Sequence, residues 1–120
     1  MHKVAAATQD GLLILEHFGH AERFFLYEVF EDGSFWFEKE IRIPPFSPEE
    51  ERTPHGRVKT IAGLLAGVNG VFAQKIGPKA AKLLADHGIH AYAIGGNIQE
   101  ALRMYGKRIP FIERLSKGSG

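Results

Sequence analysis

Apolar and polar positions change period along the chain. Val4-Ala5-Ala6-Ala7-Thr8 is an unbroken run of small and apolar residues, the pattern of a buried strand, and Gln9-Asp10-Gly11 breaks it. Phe24 to Phe30 is aromatic and β-branched and gives the strongest strand signal of the chain. Asp32-Gly33 predicts a two-residue hairpin turn, because glycine tolerates the positive φ such turns require. Ser34 to Ile43 then alternates. Strict alternation puts Phe35, Phe37, Lys39, Ile41 and Ile43 on one face and Trp36, Glu38, Glu40 and Arg42 on the other. The charges on this strand suit a sheet edge protected from pairing with another chain.

The proline-rich stretch from Pro44 to Arg57, with Glu49-Glu50-Glu51 inside it, reads as a solvated connection. From Val58 to Val68 the period becomes helical, with Val58, Ile61, Leu64, Leu65 and Val68 on one stripe. Gly70 to Gln74 is a buried strand. Lys79 to His87 is a helix, with Pro78 suited to its first turn and Gly88 to its C-terminal cap. Ile89 to Ile94 is another strand. After Gly95-Gly96, Asn97 and Glu100 have the spacing of a capping box, and Ile98, Ala101, Leu102 and Tyr105 form an apolar face. The order is β-β-β-α-β-α-β-α. It predicts an α/β fold: a mixed five-stranded sheet flanked by three helices, with an antiparallel meander followed by two strands parallel to the first.

With 120 residues the chain fits one domain, assigned here to residues 1–115, with 116–120 as a flexible tail. The absence of cysteine excludes disulfides and thiolate metal sites. Fifteen basic against 14 acidic residues leave a formal charge of +1, which argues against nucleic acid as the main partner. No apolar run reaches the roughly 18 to 20 residues of a membrane span. The N-terminus lacks the apolar core of a signal peptide, so a cytoplasmic location is expected.

Five segments carry a family resemblance. Glu16-His17-Phe18-Gly19-His20-Ala21 precedes the aromatic strand, and His55-Gly56 precedes a helix. Lys75-Ile76-Gly77-Pro78-Lys79-Ala80-Ala81 makes a strand-glycine-helix turn. Leu83 to Tyr92 carries a Gly88-Ile89 pair, and Ile98-Gln99-Glu100-Ala101-Leu102 closes the series. Together, over roughly Val4 to Tyr105, they resemble the dinitrogenase iron–molybdenum cofactor biosynthesis family of the NifX, NifY and NifB C-terminal type. The resemblance implies a ribonuclease H-like topology and binding of an iron–sulfur or iron–molybdenum cluster precursor during nitrogenase cofactor assembly, with cofactor-assembly proteins as partners. His20 stands where that family commonly carries arginine or another residue.

The predicted topology gathers His17, His20, His55, Gly77 and Gly95-Gly96 on one rim of the sheet, outside the carboxyl ends of the parallel strands, where open α/β sheets bind ligands. His2, His87 and His90 fall on the opposite rim. Three helix N-termini face the first rim, each with unpaired N–H groups and partial positive charge. Lys75 and Lys79 add positive charge, which suits an anionic cluster. The metal-ligand candidates are His17, His55 and His20, since neutral imidazole binds iron and other first-row metals. The cofactor-binding candidates are Gly19, Lys75, Gly77, Lys79, Gly95 and Gly96. Each has a plainer reading: His17 as a turn cap, His55 as a helix start, and the glycines as tight connections.

No nucleophile elbow, P-loop or dinucleotide fingerprint occurs, and no catalytic residue is assigned. Two alternatives to a cluster carrier stand. One is a small regulatory or interaction domain without a metal ligand. The other is a ribonuclease H-like nuclease, for which Asp10 and Glu28 are the available carboxylates and no third acid is evident.

Overall fold

The computed structural model describes residues 1–45, 47–52 and 55–118. The strands are β1 (His2–Ala7), β2 (Leu13–Ile14), β3 (Arg23–Val29), β4 (Phe35–Arg42), β5 (Gly70–Ala73), β6 (His90–Ala93) and β7 (Gly96–Asn97). The helices are α1 (Pro48–Arg52), α2 (Gly56–Leu64), α3 (Pro78–Asp86), α4 (Ile98–Lys107) and α5 (Ile109–Gly118), and Phe18–His20 forms a single 3₁₀ turn. The main sheet has the order β4-β3-β1-β5-β6. β1 pairs antiparallel with β3 and parallel with β5, and β5 pairs parallel with β6. The expected mixed five-stranded sheet is therefore present.

β1 is central and covered on both sides, which explains its small side chains. Ala5 and Ala7 pack with Phe18, Phe24, Ile61, Leu65 and Leu84 in one core layer. Val4 and Ala6 pack with Tyr27, Phe72, Leu102, Tyr105 and Ile109 in the other. Helices α2 and α3 close the first layer, and α4 and α5 the second.

Three expectations need correction. The β3–β4 connection is longer than a two-residue turn. Gly33 donates its N–H to Phe30 at 2.9 Å, and Phe30 donates its own to Ser34 at 2.9 Å, so Glu31-Asp32-Gly33 form the loop with Gly33 at φ +90°. The Asp32 carboxylate accepts from the Ser34 N–H at 2.9 Å and the Ser34 hydroxyl at 2.6 Å, which fixes this wider turn and holds its own carboxyl below the usual range.

The strict alternation of β4 also fails. Leu26 pairs with Lys39 but Tyr27 with Phe37, leaving Glu38 as an extra residue in a β-bulge. The bulge exchanges the faces. Phe35 packs with the α4 layer while Ile41 and Ile43 pack with the α2 layer, rather than all on one side. The displaced Glu38 reaches Lys3 at 3.2 Å.

The Pro44–Arg57 connection is not wholly irregular. Ser47 and Glu50 cap each other reciprocally, with N–H to side-chain oxygen distances of 3.0 and 3.2 Å, and start α1. Arg57, at the end of this stretch, is buried. The helix α5, whose residues Ile109 and Ile112 join the second core layer, had no sequence counterpart. Of the expected tail, residues 119 and 120 lie outside the described residues.

At the lower end of β1, His2 is buried and its Nδ1 lies 2.7 Å from the Tyr105 hydroxyl, while its Nε2 lies 3.1 Å from Glu113. This polar contact ties the first strand to α4 and α5.

Candidate functional site

The upper rim is formed where β1, β5 and β6 end, together with the start of β3 and the end of β4. The chain leaves β1 through a turn organised by Asp10. Its carboxylate accepts from the Leu12 and Leu13 N–H groups at 2.8 and 3.0 Å and from the Thr8 hydroxyl at 3.3 Å. The backbone donors, Leu12 first, hold the Asp10 carboxyl below its ordinary range. The short β2 then pairs with β7, setting Ile14 opposite Gly96.

The next segment runs along the continuation of β5. Gln74 donates its N–H to the Glu16 carbonyl at 2.8 Å, and Phe18 donates to the Lys75 carbonyl at 2.9 Å, with His17 bridging Lys75 in parallel. Phe18 is buried against Phe24, their ring centroids 5.9 Å apart. Its side chain anchors the segment, and the 3₁₀ turn beyond it leaves His17 and His20 exposed with ring centroids 6.2 Å apart. The His17 side chain makes no capping hydrogen bond, so the turn does not consume the imidazole.

Three helices begin at this rim: α2 after His55, α3 after Gly77 and α4 after Asn97. Lys75 adjoins His17, Gly19 lies inside the 3₁₀ turn, and Lys79 is the second residue of α3. Gly95 packs against Gln74 and Ile14, and Gly96 takes φ +96° within the β2–β7 pair. Asn97 accepts the Glu100 N–H at 3.0 Å and so serves as a helix cap. α2 packs on the 3₁₀ turn. Its N-cap His55 has φ 58° and ψ 23°, the one left-handed non-glycine residue among those described, and its side chain makes no capping bond. His87 and His90 lie at the other end of the sheet, with His2.

The structure thus brings His17 and His20 together. Among the described residues no group of three or more His, Cys, Asp or Glu side chains is placed to hold a metal ion, so His55 does not join them in one coordination set.

Beside His20 the rim opens into a cavity of about 580 Å³. His20, Glu22, Arg23, Arg42, Ile43 and Arg57 line it. The arginines escaped the sequence reading. Arg23 and Arg42 meet only through the β3–β4 register. Arg57 did leave a signal: it stands at helical spacing with Ile61 and Leu65, a charge on the buried stripe.

Residues 1–108 match the family model described as dinitrogenase iron-molybdenum cofactor. The chain is 34% identical over 86 residues to Protein NifY of Klebsiella pneumoniae, covering 72% of this chain and 35% of NifY. It is 30% identical over 97 residues to Protein NifX of Sinorhizobium fredii, covering 78% of this chain and 59% of NifX. It therefore spans about a third and about three-fifths of these two relatives. The crystal structure of PH0822 is similar in fold, with a TM-score of 0.62 and 20% identity over 86% of this chain and 88% of that one.

Proposed function

The chain belongs to the dinitrogenase iron-molybdenum cofactor family, and from that premise we propose that it is a non-catalytic carrier whose cargo is an iron–sulfur or iron–molybdenum cluster precursor. The observation that carries the reading is the exposed His17–His20 pair, 6.2 Å between ring centroids, fixed to the start of the β5–α3 turn. Neither ring is shielded by the core. Two imidazoles without a closed coordination set suit a cargo that must be released. His55, Lys75, Lys79 and the glycines Gly19, Gly77, Gly95 and Gly96 complete the proposed rim. The N-termini of α2, α3 and α4 add partial positive charge that favours an anionic cluster.

The sheet order, with three neighbouring parallel strands and an antiparallel edge pair, supports a ribonuclease H-like topology. The nuclease reading would need several carboxylates gathered around metal ions, and among the described residues no group of three or more His, Cys, Asp or Glu side chains, Asp10 included, is placed to hold one. Exposed Leu12, Leu13, Leu15 and Ile94 beside the rim offer an apolar margin for an assembly partner that delivers or receives the cluster.

A second reading, a regulatory or interaction domain without metal, is favoured by the lack of a three-ligand group among the described residues. Anaerobic reconstitution of the chain with iron, sulfide and molybdate, followed by gel filtration and metal analysis, separates the two. The carrier reading expects iron and visible charge-transfer absorbance to co-elute with the protein. Protein free of iron favours the second reading.

A further inference from the structure

We propose that the outer edge of β6 is a self-association surface, on which a second copy of this chain adds its own β6 antiparallel, across a two-fold axis at Tyr92. The five-stranded sheet ends in β4 on one side and β6 on the other. β4 is guarded: it carries Glu38, Lys39, Glu40 and Arg42, and the bulge at Glu38 breaks its regularity. β6 reads His90-Ala91-Tyr92-Ala93, with no proline, no Asp, Glu, Lys or Arg, and an unbroken register against β5. An edge without such devices is a template for pairing with another chain. The pairing is independent of any cargo at the rim.

The parallel ladder fixes where each backbone group of β6 points. His90 donates its N–H to the Asn69 carbonyl at 2.9 Å, and Ile94 donates to the Ala73 carbonyl at 2.9 Å, so residues 90, 92 and 94 face β5. Alternation turns the N–H and C=O of Ala91 and Ala93 outward, where no strand of the sheet meets them among the described residues. These outward groups complement themselves. With Tyr92 on the two-fold axis, Ala91 of one copy and Ala93 of the other form a hydrogen-bonded pair, and the symmetry repeats it, giving four main-chain bonds. Tyr92 then faces its own counterpart in the closer, non-hydrogen-bonded relation, which favours aromatic pairs. Its ring already packs edge-on against Phe72 and Tyr105, with centroids 5.9 and 5.6 Å away, so one aromatic row would cross the axis. His90 and Ile94 pair at the two ends, and no acidic or basic pair stands like against like along β6. This self-matching register is what selects a second copy over an unrelated strand. The antiparallel joint also sends the two histidine rims to opposite ends of the combined sheet, leaving both open.

The test is analytical ultracentrifugation of the full chain from micromolar to millimolar concentration, the range a short interface calls for, with amide exchange measured at both ends of the series. The expected result is a reversible monomer–dimer equilibrium in which exchange at Ala91 and Ala93 slows as concentration rises, while exchange along β4 does not change. Ala93→Pro removes an outward donor and no bond to β5. The Ile94 N–H also lies 3.1 Å from the Tyr92 carbonyl, a tight turn centred on Ala93 whose φ suits proline. This variant loses two of the four donors in each dimer and should associate at least about tenfold more weakly. Ala93→Ser keeps the N–H and should associate as wild type. Circular dichroism checks both folds, and the wild-type exchange pattern decides the matter without either variant. A monomer at every concentration, which would leave the edge to an unrelated strand, overturns the proposal. So does a dimer whose new protection falls on β4, or a folded Ala93→Pro chain that associates as wild type.

Discussion

The backbone N–H of Phe18 donates to the carbonyl oxygen of Lys75 at 2.9 Å, and with the Gln74 N–H to the Glu16 carbonyl it joins the histidine turn to the strand that leads into α3. The Phe18 ring is buried in the core on the other side of the same residue. His17 and His20 are thus held by a side chain that points away from them.

Phe18→Ala should therefore cost stability and site order together. Truncating a fully buried phenylalanine removes about 3–5 kcal/mol. Urea denaturation should show the midpoint shift, and amide exchange at His17 to Ala21 should accelerate more than exchange in β6. Uniform acceleration throughout the sheet would count against a local anchoring role.

Asp10 gives a prediction on the acid side. Its folded carboxyl is depressed by the Leu12 and Leu13 N–H groups, so its contribution is present above the ordinary value of 3.8 and is lost as pH falls through the lower folded value. Asp10→Asn should be less stable than wild type at pH 7, and the gap should close towards pH 2. Thermal melts across that range read it directly. A gap independent of pH would contradict the account.

Tyr105 acts on the alkaline side. Burial raises its hydroxyl above the ordinary value of 10.0, with Tyr92 and Glu113 adding to the effect. The neutral form is favoured in the folded chain, so its stabilisation is complete below pH 10 and is lost as pH rises towards the folded value. Tyr105→Phe should lose about 0.5–1.5 kcal/mol at neutral pH with the hydrogen bond to His2. It should also decline less steeply than wild type in denaturant midpoints measured above pH 10. Parallel declines would contradict the assignment.

Two glycines in helices should respond oppositely to alanine. At Gly106 an added Cβ would run into the Phe30 carbonyl oxygen and lie 2.9 Å from the Gly33 Cα, both backbone atoms that cannot step aside. Gly106→Ala should destabilise by about 1–3 kcal/mol. At Gly63 nothing lies within 4 Å, and the residue is exposed in α2. Gly63→Ala should stabilise by about 0.5–1 kcal/mol. Calorimetric melting temperatures should move in opposite directions.

The main sheet was legible because each strand's burial is local. The alanine-rich β1 and the aromatic β3 announce their environments in their own composition. The faces of β4 were not legible, because alternation cannot reveal the extra residue Glu38, which exists only relative to β3. Ser47 and Glu50 did have capping-box spacing, masked by the surrounding prolines. At the rim, the pairing of His17 with His20 followed from their closeness in sequence. The position of His55 depended on how α2 packs, and the three arginines required both strand register and helix placement. Spacing along one chain says little about contacts assembled from separate layers.

The central claim is that the histidine pair on the upper rim holds a metal cluster. It is tested most directly by anaerobic titration of wild type, the His17→Ala/His20→Ala double variant and His87→Ala with an iron–sulfur or iron–molybdenum precursor, reading bound iron and visible absorbance. The account predicts saturable uptake by wild type and by His87→Ala, whose imidazole is at the far end of the sheet, and a loss of at least about tenfold in the double variant, equivalent to about 1.4 kcal/mol. Equal uptake by the double variant and wild type would contradict it.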